Sequence, residues 1–288
     1  MIRNILKNSF LRFIRAISND ELYYRIRYFI KFKSILDLSN PVTFNAKINY
    51  LKLNDRNPFY TKLVDKYEVR KYVENKIGNK YLNEVLGIYK NVKELDFKTL
   101  PNSFVLKATH GSSWVIVCDD KMKLNKELAK REMSYWLNNN FYKMWGEWVY
   151  KNVEPRVICE QFLENKNEVS LLDYKFYCFH GEPKFIHVDI DRAEKHERNF
   201  YDLNWERLPF GLFYPQSKRD VNKPKQLELM IELAKKLSAD FVFVRVDFYE
   251  VENKVIFGEL TFYPGNGLEI FTPRKYDNEI GKFLNLDC

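Results

Sequence analysis

Arg245-Val246-Asp247-Phe248-Tyr249, followed by Gly258-Glu259-Leu260-Thr261-Phe262-Tyr263-Pro264-Gly265, is the stretch on which the reading of this chain turns. Each half alternates apolar and functional residues with a period of two, the mark of a half-buried strand. Between them Glu250-Val251-Glu252-Asn253-Lys254 is short and polar enough for a hairpin connection. Alternation puts Arg245 and Asp247 on one face of the first strand, and Glu259 and Thr261 on one face of the second. Paired as a hairpin, the strands bring two carboxylates together beside a guanidinium. Neighbouring carboxylates resist joint ionisation unless a cation sits between them. Magnesium suits that position, because it takes oxygen ligands, keeps several waters and completes its shell with substrate phosphates. An exposed hairpin with ordinary surface charges fits the same letters. The glycines of Pro264-Gly265-Asn266-Gly267 favour the metal reading, since they suit backbone passing close to a ligand.

Phosphates need a cradle elsewhere in the chain. Ser103-Phe104-Val105-Leu106-Lys107 is predicted as a strand, followed by Ala108-Thr109-His110-Gly111-Ser112-Ser113 and a second strand from Trp114 to Cys118. This is not a Walker A loop, for it lacks the glycine-lysine-serine ending and leads into a strand. A small-residue loop between strands can still fold its backbone N–H groups over phosphate oxygens. Lys107 would set an ammonium beside them. A solvated strand end is the plainer account of the same lysine.

Composition narrows the class. A chain of 288 residues holds two domains, or one with a lobe, and buries a real core. Its 45% apolar and 30% charged residues are ordinary for a soluble globular protein. The 19 tyrosines and 23 phenylalanines suit β-rich cores or an aromatic ligand slot. The cysteines at 118, 159, 178 and 288 and the histidines at 110, 180, 187 and 196 show no zinc spacing, so a reducing cytoplasm is expected. A net charge of +8 favours an acidic partner without choosing one. No apolar run is long enough to span a bilayer. Near the N-terminus Ile5, Leu6, Phe10, Leu11, Phe13 and Ile14 are interrupted by Lys7, Arg12 and Arg15, unlike a signal peptide. That segment reads as a helix packed on the domain, or as a basic helix in peripheral contact with a membrane.

Residues 1 to about 60 read as helices, and Thr61 to Asn75 as one helix closed by Gly78. Tyr81 to Tyr89 is short and mixed. Lys123 to Asn140 is predicted as a helix, and Val157-Ile158-Cys159-Glu160-Gln161-Phe162-Leu163 as a strand. A second hairpin joins Asp173–Phe179 to Pro183–Asp189; Lys175 and Tyr177 share one face, and Phe185, His187 and Asp189 another. Asp191 to Asp202 reads as a charged loop. A helix from Lys225 to Leu237 precedes the central hairpin, and Tyr276 to Leu284 closes the chain.

Taken in order, these pieces resemble an ATP-grasp enzyme. Leu100-Pro101-Asn102-Ser103-Phe104-Val105-Leu106-Lys107-Ala108-Thr109-His110-Gly111-Ser112, Asp173-Tyr174-Lys175-Phe176-Tyr177-Cys178-Phe179 and Gly258 to Gly265 are similar to the TupA-like branch, associated with bacterial surface polysaccharide and teichuronopeptide synthesis. The similarity runs from about Asn40 to the C-terminus. It implies an α+β ATP-grasp fold: an N-terminal mainly helical region over 1–60, a first lobe over 61–163 and a second over 164–288, the two lobes gripping ATP. Lys107 and Lys175 would hold phosphates, and His110, Gly111, Ser112 and Ser113 would cover them. Glu160, Gln161, Phe162 and Leu163 would form the adenine hinge, with Gln161 and Leu163 offering backbone groups. Asp247 and Glu259 match the magnesium ligands. Thr261 stands where most of the superfamily has asparagine, which puts second-metal coordination in question. Arg245 matches the arginine that steadies an acyl-phosphate, and the loop lacks a common second glycine.

The activity so implied is carboxylate–amine ligation with ATP and Mg2+, forming an amide on a uronic acid of a capsular-type polysaccharide or its precursor. His187, Asp189, Arg192 and His196 are the expected substrate residues, although His187 and Asp189 equally suit a structural role in a sheet. A glycosyltransferase of the same pathway would also use paired carboxylates and a divalent ion. A nucleic-acid module ranks last, because the aromatics alternate inside strands instead of interleaving with a lysine stripe. No nucleic-acid partner is expected.

Overall fold

The computed structural model of the chain describes residue 11 and residues 14–164, 171–190 and 196–286. Ile5, Leu6, Lys7, Phe10, Arg12 and Phe13 of the expected basic N-terminal helix lie outside the described residues, as do Arg192 and Cys288. In chain order, α1 (Asp20–Phe32), α2 (Phe44–Asn54), α3 (Phe59–Val64) and α4 (Val69–Ile77) precede β1 (Val85–Tyr89), β2 (Phe104–Ala108) and β3 (Val115–Cys118). Then come α5 (Lys126–Leu137), α6 (Phe141–Trp145), β4 (Val157–Gln161), β5 (Asp173–Phe179), β6 (Glu182–Ile190), β7 (Glu197–Tyr201) and β8 (Gly211–Leu212). α7 (Leu227–Ser238), β9 (Phe243–Val251), β10 (Lys254–Thr261), β11 (Phe271–Thr272) and α8 (Lys275–Gly281) complete an α+β chain. It divides into two compact units, residues 57–171 and residues 1–56 together with 172–288.

In the 57–171 unit, four antiparallel strands run in the order β1-β4-β2-β3. Phe104, Leu106, Ala108, Val157 and Cys159 face inward and pack with Met133 and Trp136 of α5. Asn125 caps that helix by accepting from the Leu128 N–H. The opposite face carries Val105, Lys107, Ile158 and Glu160, paired across β2 and β4. The mixed stretch before Tyr89 contains the edge strand β1. The single helix expected over Thr61–Asn75 is broken at Asp65. Its Oδ1 accepts from the Tyr67 and Glu68 N–H groups and so starts a new helix, while Oδ2 takes Arg156 Nη2 at 2.7 Å.

The other unit is built on five antiparallel strands in the order β10-β9-β5-β6-β7. One face packs Met230, Leu233 and Leu237 of α7, with Ser238 meeting Cys178. On the other face, the Phe44 ring of α2 meets Tyr177, Phe179, Phe243 and Phe271. Thr43 caps α2 from the N-terminal side by accepting from Ala46 N–H.

The central hairpin is tighter than its sequence implies. Glu252 and Asn253, at φ +49° and +63°, form a two-residue turn, the left-handed pair that matches strand twist. Residues 197–201 of the expected charged loop are instead β7, paired along β6. The expected separation of Lys175 and Tyr177 from Phe185, His187 and Asp189 is also corrected. Register sets Lys175 opposite His187 and Tyr177 opposite Phe185, so all five share one face of the sheet.

Candidate active site

One face of the five-stranded sheet gathers the charges. Asp247 lies opposite Lys175, which lies opposite His187, which lies opposite Phe200. Arg245 pairs with Tyr177, and Asp173 with Asp189, itself opposite Arg198. Simple alternation would not bring Glu259 to this face. Phe257 pairs with Phe248, so the next residue, Gly258, would fall opposite Asp247. A bulge at Gly258 shifts the register by one, setting Glu259 across from Asp247 and Thr261 across from Arg245. A Cβ on Gly258 would meet the Asp247 carbonyl oxygen at 3.1 Å. Glycine is what lets the bulged backbone approach so closely.

Arg245 grips Asp247 with two bonds, Nε to Oδ1 and Nη2 to Oδ2, each 2.7 Å. The same Nη2 reaches Glu259 Oε1 at 3.2 Å and Thr261 Oγ1 at 3.0 Å. Lys175 donates to Asp247 Oδ2 at 2.6 Å and to Asp173 Oδ2. Burial pushes the Asp247 carboxyl up, but Arg245 and Lys175 outweigh it and hold the group below the usual carboxylate value. Burial likewise works against the Lys175 ammonium, which Asp173 and Asp247 raise above its ordinary value.

Asp247, Glu259 and Thr261 set two carboxylates and a hydroxyl, all oxygen donors, around Arg245 Nη2. Among the described residues no group of three or more His, Cys, Asp and Glu side chains is placed to hold a metal. The donor set is therefore not a closed protein cage. It fits a hard divalent ion that draws its remaining ligands from water and phosphate.

In the 57–171 unit, Lys107 Nζ lies 2.6 Å from Glu160 Oε2, and Arg70 Nη1 lies 4.0 Å from Glu160 Oε1. Val115 and Val117 stand exposed on β3, Val115 directly opposite Lys107. Ser112 and Ser113 are exposed on the loop above. Lys66 Nζ fastens that loop through the Gly111 carbonyl at 2.6 Å. The His110 ring is buried, its Nε2 2.8 Å from the Trp136 carbonyl oxygen, so it is Ser112 and Ser113 that the loop shows outward. At the expected hinge, Gln161 N–H already bonds Glu84 O, and its carbonyl accepts from Asn83 Nδ2. Each backbone group of Gln161 thus has a partner within the unit, and the expected hinge continues through Phe162 and Leu163.

A family profile described as TupA-like ATP-grasp matches residues 46–285, which takes in every element that carries these side chains. The chain belongs to the TupA-like ATP-grasp family. No curated protein matches this TupA-like chain. Among solved structures it resembles D-alanine–D-alanine ligase from Helicobacter pylori, at 16% identity and a TM-score of 0.43 over 77% of this chain and 57% of that one. PsnB, described as an ATP-grasp ligase complexed with a phosphomimetic variant of its minimal precursor, Mg and ADP, aligns at 9% identity and a TM-score of 0.44 over 83% and 65%. D-cycloserine synthetase DcsG aligns at 14% identity and 0.40 over 79% and 72%. The chain spans a little more than half the length of the first solved structures it matches.

Of the expected substrate residues of the TupA-like protein, His187 and Asp189 are deeply set. His187 is sealed from solvent, its Nδ1 3.3 Å from the Tyr177 hydroxyl. Burial and the Arg198 charge push its pKa well below the usual value, so the ring is neutral. Asp189 Oδ1 takes Arg198 Nε at 2.7 Å and His196 Nε2 at 3.0 Å. Burial raises its carboxyl, but His187 and Arg198 bring it below the ordinary range. His196 stacks on Tyr214 with centroids 3.6 Å apart. Arg192 lies outside the described residues. Asp173, Tyr177, Arg198, Tyr214 and Glu269 join this face without having been singled out from the sequence. Alternation along β5 already sets Asp173 and Tyr177 beside Lys175, whereas Arg198 emerges only from the pairing of β7 with β6.

Proposed function

We propose that this TupA-like protein is an ATP- and Mg2+-dependent carboxylate–amine ligase. The observation that carries the reading is the row Glu259, Asp247, Lys175 on neighbouring strands, with Arg245 bridging the two carboxylates. A carboxylate is a poor acyl donor until a phosphoryl group makes its oxygen a good leaving group. Lys175 and Lys107 would hold the phosphates, the loop from His110 to Ser113 would cover them, and the stretch through Phe162 and Leu163 would receive adenine. Asp247, Glu259 and Thr261 would hold the magnesium ion, which when bound neutralises charge on phosphate oxygens. Arg245 would orient the acyl-phosphate and stabilise the oxyanion formed as an amine attacks.

The acyl donor in this reading is a uronic acid of a bacterial surface saccharide, and the basic balance of +8 suits an anionic substrate. The setting is the cytoplasm, where ATP is supplied. Among the described residues no helix is long and apolar enough to cross a membrane. The test is incubation with ATP, Mg2+, hexuronates and candidate amines. Amine-dependent release of ADP and phosphate with amide formation is expected. Release of UDP or GDP from a sugar nucleotide instead would replace ligation with glycosyl transfer.

A further inference from the structure

Amide formation needs a neutral amine, yet an alkyl amine arrives at neutral pH as an ammonium ion. A base must take that proton. Most carboxylates on the charged face are committed elsewhere. Asp173 and Asp247 share Lys175, and Asp247 also holds Arg245. Asp189 is claimed by Arg198 and His196. Glu259 belongs to the metal donor set. His187 is neutral but fully enclosed, so no substrate reaches it.

Glu269 is placed differently. It follows the Pro264–Gly267 turn, and its side chain lies along the backbone of Gly265, where a Cβ would fall 2.1 Å from Glu269 Cγ. Gly265, at φ +56°, thus makes the room that the carboxylate occupies. The backbone carbonyl of Glu269 is tied to Asn45 Nδ2 at 2.9 Å, which fixes the residue while leaving its side chain to act. Its side chain is 19% exposed, and Arg198 Nη1 stands off at 3.7 Å from Oε1. Burial lifts the carboxyl above its ordinary value. Arg198 of β7, Arg245 of β9 and Lys31 of α1 pull the other way, and Asp189 of β6 adds to the rise. Held by Arg198 at 3.7 Å, where Asp189 is held at 2.7 Å, this raised carboxylate accepts a proton more readily than its tightly paired neighbours.

We propose that Glu269 is the base that deprotonates the attacking amine, a role that rests on the ligase reading above. The ammonium gives one proton to a Glu269 carboxylate oxygen, and the nitrogen lone pair forms the C–N bond at the acyl-phosphate carbon. The C–O bond to the phosphoryl group breaks with its electron pair, and the departing phosphate takes the second N–H proton. Glu269 then returns its proton to water.

The experiment compares two nucleophiles with ATP, Mg2+ and a panel of hexuronates. Ethanolamine is protonated at neutral pH, whereas hydroxylamine is largely not. Glu269→Gln should lose about 10²-fold or more in ethanolamine-dependent turnover while hydroxamate formation stays within about tenfold of wild type. The ethanolamine rate of the variant should climb with pH, and Glu269→Asp should recover part of it. Gly265→Ala, which pushes the carboxylate aside while keeping it, should show the same split. Equal losses with both nucleophiles would overturn the base assignment while leaving the ligase reading in place. A wild-type protein that makes neither amide nor hydroxamate would overturn the ligase reading first.

Discussion

Lys175 and Asp247 stand directly opposite each other on β5 and β9, with the lysine Nζ 2.6 Å from Asp247 Oδ2. Their side chains are 8% and 1% exposed, so each neutralises a charge that water cannot reach. Removing one partner of such a pair usually costs about 3–5 kcal/mol. Lys175→Met should fall toward the lower end, because Arg245 still holds Asp247. Urea unfolding measures it, and ATP turnover should drop on the order of 10²–10³-fold in the same variant. A stability loss within error would show that the pair is not sealed.

Glu259 is a different case. Its side chain is 39% exposed, and its contacts are with Arg245 and Thr261. Glu259→Gln should melt close to wild type and lose magnesium-dependent ATP use. ADP release followed across a magnesium titration decides it; wild-type turnover would remove Glu259 from the metal site.

Lys107→Ala takes away the ammonium 2.6 Å from Glu160. If that ammonium serves phosphate, ATP affinity should fall roughly tenfold or more, the scale of one charge-assisted hydrogen bond. Calorimetric titration with ATP checks this. Unchanged affinity would leave Lys107 as a strand end paired to Glu160.

Acid should unfold the unit that carries the charged face. Asp247 and Asp189 have folded pKa values below the ordinary carboxylate value, so they bind fewer protons folded than unfolded. Their contribution is complete above the unfolded value, near pH 4, and drains away as pH falls below it. Glu269, raised in the fold, has the opposite sign and contributes most below its unfolded value. In this unit four lowered carboxylates (Asp37, Asp189, Glu232 and Asp247) against two raised ones (Glu269 and Asp277) make the net slope positive below about pH 4. Melting temperature against pH should show that fall, and Asp189→Asn should flatten it.

Cys159 and Cys178 are buried, and burial pushes both thiols up to about 12. Thiolate is the reactive form, so iodoacetamide should modify these two only after denaturation. Peptide mapping before and after unfolding reads the difference.

What could be read from the letters was local. Alternation placed Arg245 with Asp247 and Lys107 before its loop, because a strand's faces follow from its own sequence. The bulge at Gly258 was invisible, although without it Glu259 would turn toward α7. Arg198 sits in Glu197-Arg198-Asn199-Phe200-Tyr201, a run whose letters resemble a charged loop until β6 pairs with it. Glu269 is a lone acid in an apolar stretch, and its neighbours come from α1, β7 and β9. The glycines at 265 and 267 suggested backbone close to a ligand. Gly265 instead makes way for Glu269, and Gly267 for Asn49, whose Nδ2 donates to the Gly267 carbonyl at 2.9 Å.

The unit formed by residues 1–56 and 172–288 has a consequence for synthesis. Phe44 leaves the ribosome early, while its ring partners Tyr177, Phe179, Phe243 and Phe271 follow long after. Asn45 likewise waits for the Asp277 carboxylate that accepts its backbone N–H. The intervening residues 57–171 are complete first and can close on themselves, as domains made earlier generally do. During translation the apolar face that α2 presents at Phe44 therefore stays without these partners until residues 177–271 have emerged, a long window in which a chaperone has something to hold.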